Sequence, residues 1–234
     1  MTDMTDWRKL FVESPNDKHV ILHLLRCHGL LQPDKEPSTF AVKPLHGDAN
    51  ILKRLRLEVK KQDEEGLERI GVIIDADADL AKRWRDIQTI LAGGGYTNLP
   101  ERPAPEGTII EQESRPTVGI WIMPDNEIPG NLETFVSLLV PAGDVLWPHA
   151  ADVIQQLPDR RFADKDTGKA HVHTWLAWQQ SPGTPMGWAI TRKFLDPTAP
   201  HAHTLLAWLR RLFTLPPTSS THESPTQAPG GPAQ

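Results

Sequence analysis

A mostly parallel α/β sheet flanked by helices, with an added antiparallel edge strand and a helical C-terminal cap, is the fold the sequence predicts. Three observations predict it. Short β-branched runs alternate with helix-spaced segments through the first half of the chain, the pattern of parallel strands joined by helical crossovers. Two later runs are separated by only a few polar residues, which reads as a hairpin and so as an antiparallel strand at one edge. From residue 141 onward the remaining segments read as helices.

Taken in order, Met1 to Trp7 read as a loose leader and Lys9–Val12 as a strand with Glu13 at its end. Ser14-Pro-Asn-Asp17 is a turn and helix start, with Asn16 or Asp17 expected as the cap. The helix runs through Val20 to His28, places Ile21, Leu24, Leu25 and His28 on one face, and ends at Gly29. Thr39–Val42 is a second strand. His46-Gly-Asp-Ala-Asn50 then opens a helix over Ile51–Lys61, with Leu52, Leu55 and Val59 inward. Its Lys53, Arg54, Arg56, Lys60 and Lys61 form either a solvated face or a local phosphate-contacting patch.

Ile70-Gly-Val-Ile-Ile74 is a short β-branched run, expected to be a buried strand ending at Asp75. Leu80, Trp84, Ile87 and Leu91 then recur at helical spacing until Gly93-Gly-Gly95 stops the helix. The acidic residues Asp75, Asp77 and Asp79 therefore occupy the turn from strand to helix, at the carboxyl end of the strand. Ligands bind there in open α/β sheets. In extended chain Asp75 and Asp77 point the same way and can share one cation. Two carboxylates packed that closely repel unless a cation or proton lies between them, and all-oxygen ligands favour a hard ion such as Mg²⁺. For an isolated DxD the plainer reading is one helix cap and two solvated aspartates.

Thr108–Glu111 and Val118–Met123 form the hairpin. Asn131 caps a helix carrying Leu132, Phe135, Val136 and Leu139 inward, with Glu133 in its first turn. Helices are expected over Asp144–Leu157, Gly168–Gln179 and His201–Phe213, with Trp188–Leu195 a short segment of open type. Trp175, Trp178, Trp188 and Trp208 fit helix faces and are expected in the core of the cap. The pairs His171/His173 and His201/His203 stand two residues apart, about 200° around a helix, so neither chelates a metal well. Leu215–Gln234, rich in Pro, Ser, Thr and Gly, reads as a disordered tail. The expected division is thus 8–140 for a sheet domain, 141–214 for a helical extension packed on it, and 215–234 for the tail.

The chain has 234 residues and a formal net charge of −5, so no global basic field attracts a polyanion. Local patches and metal ions must do so if the partner is nucleic acid. One cysteine, Cys27, excludes a disulfide framework and points to a reducing cytoplasm. No segment resembles a signal peptide or is long enough to span a bilayer, so no membrane partner is expected. No Walker-type or GxGxxG loop is present, and Gly93-Gly-Gly95 follows a helix where a phosphate cradle would precede one.

A Glu at the end of the first strand, followed by DxD at the end of a later one, resembles the topoisomerase–primase (Toprim) domain. The matching residues are Phe11-Val-Glu13-Ser-Pro-Asn-Asp17 and Ile73-Ile-Asp75-Ala-Asp77, with Ser14 where family members usually have glycine. The resemblance covers roughly residues 9 to 140. Within it, the chain looks most like stand-alone Toprim-related bacterial proteins and the nuclease domain of the overcoming-lysogenization-defect (OLD) nucleases. Asp17, four residues after Glu13, and Glu133, after the last strand, carry that likeness.

The resemblance implies a Toprim-like fold and a nuclease hydrolysing phosphodiester bonds with one or two Mg²⁺ or Mn²⁺ ions. Glu13, Asp75 and Asp77 would hold one ion. Asp17 and Glu133 would hold a second, with Glu13 shared and Asp79 a weaker outer ligand or cap. Lys169, at the start of a late helix, would offset developing charge. The implied partners are nucleic acid and a separately encoded ATPase of a host-defence pair. The alternative is a non-catalytic Toprim-fold module that binds nucleic acid or nucleotide.

Overall fold

The computed structural model describes residues 7–32, 35–61 and 68–216. Five strands form one sheet: β1 (Arg8–Val12), β2 (Ala41–Pro44), β3 (Arg69–Asp75), β4 (Thr108–Ile110) and β5 (Thr117–Met123). Their spatial order is β2-β1-β3-β5-β4. The β1/β2, β1/β3 and β3/β5 pairs are parallel, and only β4 runs antiparallel, against β5. The mostly parallel sheet, its flanking helices and the antiparallel edge all stand as expected.

Eight helices accompany the strands among the described residues: α1 (Pro15–Cys27), α2 (Asp48–Glu58), α3 (Leu80–Gly93), α4 (Leu132–Ser137), α5 (Leu146–Gln155), α6 (Thr167–Ala177), α7 (Met186–Thr191) and α8 (Pro200–Phe213). The segment of open type is thus a short helix, α7. The cap of α1 is Ser14, ahead of both expected candidates, Asn16 and Asp17. Its hydroxyl and the Asp17 carboxylate close a reciprocal capping box, and Pro15 takes the first turn, where its missing N–H costs nothing. Strand β2 lies two residues later than its sequence pattern suggests, because the pairing with β1 runs Lys9 to Ala41 through Val12 to Pro44.

Alternation along the strands divides the core in two. Phe11, Ile70, Val72, Ile74, Ile120 and Ile122 face α2 and α3, meeting Ile51, Leu55, Trp84 and Ile87. Leu10, Val12, Ile73, Trp121 and Met123 face the other way, onto α1 and the later helices. Residues on both sides of position 140 share this second cluster, from Leu10 to Phe213. Gly71 and Gly119 sit opposite each other in the two central strands. A Cβ at Gly119 would lie 2.4 Å from Leu212 Cδ2, and one at Gly71 would lie 3.1 Å from the same atom. The paired glycines make the hollow that receives Leu212 and lets α8 lie close on the sheet.

Two expectations for the C-terminal region are corrected. Trp175 and Trp208 are buried, but Trp178, the C-cap just past α6, and Trp188, on the outward side of the short α7, are exposed. Leu215 packs against the core, and its N–H donates to Arg210 O at 3.1 Å, so the expected tail does not begin there. The rest of that tail, residues 217–234, and the leader 1–6 lie outside the described residues. Among the described residues no helix is long and apolar enough to cross a membrane.

Candidate functional site

The four parallel strands end on one edge of the sheet, and each turn leaving that edge carries an acidic residue. Glu13 follows β1, Asp48 opens α2 after β2, Asp75 ends β3, and Glu133 lies in the first turn of α4 after β5. The chain moves from β1 outward to β2 and then back past β1 to β3. The crevice between β1 and β3 is therefore the point where strand order reverses, the place where open α/β sheets bind ligands. Glu13 and Asp75 stand on its two sides.

The turns are tied together by backbone. Leu45 N–H donates to Val12 O at 2.9 Å, and Gly47 N–H to Glu13 O at 3.1 Å. On the other side, Asp77 N–H donates to Gly130 O at 2.9 Å, joining the DxD turn to the loop before α4. Glu13 Oε1 accepts from the N–H of Asp75 at 2.9 Å. Asp17, buried in the first turn of α1, accepts on Oδ2 from Ser14 N–H at 2.9 Å and from Ser14 Oγ at 2.5 Å.

Asp75 is the focus of the electrostatics. Burial first, then the charges of Glu13, Asp17, Asp77 and Glu133, push its carboxyl up to about 9. Its Oδ1 is buried and meets no hydrogen-bond donor among the described residues. Burial likewise raises Glu13 to about 7; the Asp75 N–H and Arg83 oppose the rise, and Asp17 and Asp48 add to it. Asp17 is raised chiefly by burial, against its Ser14 bonds. The structure thus brings Glu13, Asp17, Asp77 and Glu133 within electrostatic reach of Asp75. Lys169 joins them from the first turn of α6, its Nζ 3.4 Å from Glu133 Oε1.

Asp77 does not share the orientation of Asp75 as extended chain would require. The strand ends at Asp75, and Asp77 takes φ +53°, a left-handed turn conformation. Its Oδ2 accepts from Arg83 at 2.8 Å. Asp79 acts as the cap of α3, accepting from Lys82 N–H at 2.8 Å, so of its two expected roles the structure shows the cap. Among the described residues no three His, Cys, Asp or Glu side chains are arranged to close around a metal ion. The reason is local. Glu13, Asp17, Asp77 and Glu133 each engage a donor of the chain itself.

Two residues of this edge escaped the sequence reading. Arg83 is almost buried. Its Nε donates to Asp75 O at 2.8 Å, and its guanidinium pairs with Asp77 at 2.8 Å and Asp48 at 2.9 Å. Against the cost of its own burial, the Arg83 bond holds Asp48 below the usual carboxylate range. Arg83 lies three residues after Leu80 and four before Ile87, on the apolar face of α3. An arginine at a core-facing position was the available signal. Asp48 follows a strand end just as Glu13 does, and the same positional rule finds it.

The basic set on α2 is partly neutralised. Arg54 and Lys61 both pair with Glu58, whose side chain is 1% exposed. His171 stacks on Trp147 with centroids 3.6 Å apart and contacts Trp147 O at 2.7 Å through Nε2, a packing role.

No curated protein and no solved structure matches the chain. A family model does, described as a protein of unknown function (DUF3226), and it matches residues 8–214, which include every acidic residue of this edge and Lys169. The chain belongs to the DUF3226 family.

Proposed function

We propose that this chain is a Mg²⁺- or Mn²⁺-dependent nuclease that hydrolyses phosphodiester bonds at the carboxyl edge of its sheet. The observation that carries the reading is the convergence of Glu13, Asp17, Asp77 and Glu133 on Asp75, whose buried Oδ1 lacks a donor. An all-oxygen, strongly anionic cluster at a strand-order reversal suits a hard divalent cation. The Toprim resemblance, in its OLD-like form, assigns the same residues. In that form Glu13, Asp75 and Asp77 would hold one ion, and Asp17 and Glu133 a second, with Glu13 shared. A divalent ion there would supply charge against the leaving oxygen and an activated water for attack.

The chain's own groups do the positioning. The Asp75 N–H orients Glu13, the catalytic carboxylate at the crevice. Arg83 fixes the DxD turn by its backbone and by Asp77. Lys169 brings positive charge to the rim beside Glu133. Nucleic acid is the substrate partner, a separately encoded ATPase is the protein partner, and the cytoplasm is the compartment in this reading.

One observation favours a second reading, a non-catalytic module that binds nucleic acid or nucleotide: most of the carboxylates already engage donors of the chain itself. A panel of single- and double-stranded DNA and RNA, incubated with Mg²⁺, Mn²⁺ or EDTA, separates the two. Cleavage that needs the metal and is lost in Asp75→Asn is the expected result. Binding without cleavage under every condition would leave the module.

A further inference from the structure

We propose that a groove between α1, α6 and α7 binds an unpaired nucleic-acid strand, with Trp188 stacking on a base and Arg192 meeting the backbone, and leads that strand to the carboxylate edge. The inference rests on the nuclease reading and names the form of its substrate. Trp188 is 51% exposed, the most exposed of the eight tryptophans, on a helix whose other face is fully buried. Its ring is braced from beneath by His23, with centroids 4.9 Å apart and planes tilted by 56°. A supported indole with an open face is a stacking platform, and stacking tolerates any base.

Two adjoining hollows give the platform its groove. One, of about 410 Å³, is lined by Trp188, Arg192 and the 181–185 turn. The other, of about 290 Å³, shares Gly183, Thr184 and Pro185 with it and reaches Asn16 and His173. Asn16 immediately precedes Asp17 of the acidic cluster. His173 lies four residues after Lys169, on the same side of α6. The groove therefore runs from the exposed indole toward Asn16 and His173, which neighbour Asp17 and Lys169 on their helices. α7 is clamped there: a Cβ at Gly187 would lie 3.0 Å from the backbone of His19.

Charge selects this groove over the larger hollow of about 980 Å³ beside α3. That hollow sets Asp79, Glu101 and Glu127 against Arg85 and Arg102 and offers a polyanion no net attraction. Among the described residues no aspartate or glutamate lines either hollow at Trp188, and Arg192 is exposed beside the ring. A duplex keeps its bases stacked on each other, so an exposed indole at the wall of the groove favours the single strand.

The test is fluorescence anisotropy of the full chain with a labelled single-stranded oligonucleotide and with its duplex, in EDTA so that nothing is cut. Trp188→Ala is expected to weaken single-strand binding about 5-fold or more, with Trp188→Phe close to wild type. Arg192→Gln is expected to flatten the log-affinity against log-salt slope by about 0.7, the share of one phosphate on a single strand. Arg192 is on the surface, so its variant carries the test if Trp188→Ala melts early. Unchanged affinity in Trp188→Ala and an unchanged slope in Arg192→Gln overturn the groove, as does a preference for duplex. If cleavage still requires Asp75 in that case, the nuclease reading stands without it. An absence of binding to any oligonucleotide in EDTA also overturns the groove, and the metal-dependent cleavage panel then decides the nuclease reading by itself.

Discussion

Glu13 at the end of β1 accepts a hydrogen bond from the main-chain N–H of Asp75 at the end of β3, 2.9 Å away across the strand-order reversal. The bond fixes one carboxylate by the backbone of the residue carrying the next. It also holds Glu13 close enough that its charge raises the cost of ionising Asp75, on top of that residue's burial.

Stability should therefore fall as pH rises in the metal-free protein. A carboxyl raised on folding contributes stability that is fully present below its unfolded value and is lost as pH climbs through its folded one. For Glu13 that window runs from 4.5 to about 7, and for Asp75 from 3.8 to about 9. Melting measured in EDTA from about pH 5 to about pH 9 should show a steady decline. Asp75→Asn should flatten it, and Mn²⁺ should raise the wild-type melting temperature most at the alkaline end. A profile equally steep in Asp75→Asn would remove Asp75 from the explanation.

Arg83 should matter to both fold and site. Arg83→Met keeps most of the aliphatic packing but leaves the Asp75 carbonyl, Asp77 and Asp48 without their donor. Asp48 and Asp77 are open to water, so the loss should be about 1–3 kcal/mol rather than that of a sealed ion pair. Chemical denaturation gives the number. A cost within error of zero would mean that solvent replaces all three contacts.

The strands and their ends were legible because they depend on local pattern. β-branched runs, turn residues and a two-residue acidic repeat are all visible within a short window, and Asp75 and Glu13 followed from them. The conformation of Asp77 was not legible, since it is set by a bridge to Gly130, more than fifty residues away. Arg83 was hidden in part for the same reason: of its partners Asp48 lies on a turn far away in the chain, after β2. The exposure of Trp188 depends on how α7 crosses α1, which helical spacing within α7 alone does not specify.

The glycine hollow offers a test of the packing. Gly119→Ala places a methyl group against Leu212 and should destabilise the protein by about 1–3 kcal/mol. Leu212→Ala opens a cavity on its own and should cost about 2–5 kcal/mol. The double variant should cost clearly less than the two together, because the added methyl fills part of the space the leucine leaves. Strict additivity would show that α8 moves away from the sheet instead.

Glu133 separates a two-ion site from a one-ion site. It is 6% exposed in the first turn of α4, its charge reaches Asp75 and Asp17, and Lys169 stands 3.4 Å away. Two roles fit this position. As a partner of the helix N-terminus and of Lys169, it contributes less than about 1 kcal/mol to stability and nothing to chemistry. As a ligand of a second ion it is dispensable for folding, and its removal relieves Asp75 of one like charge. The two-ion reading therefore expects Glu133→Gln to melt at or slightly above wild type in EDTA, to bind fewer Mn²⁺ ions in a calorimetric titration, and to lose most cleavage. Asp75→Asn, measured beside it, should lose cleavage in either case. Near-normal cleavage and unchanged Mn²⁺ stoichiometry in Glu133→Gln, with loss in Asp75→Asn, would leave a one-ion site built on Glu13, Asp75 and Asp77, and assign Glu133 to the helix end and Lys169.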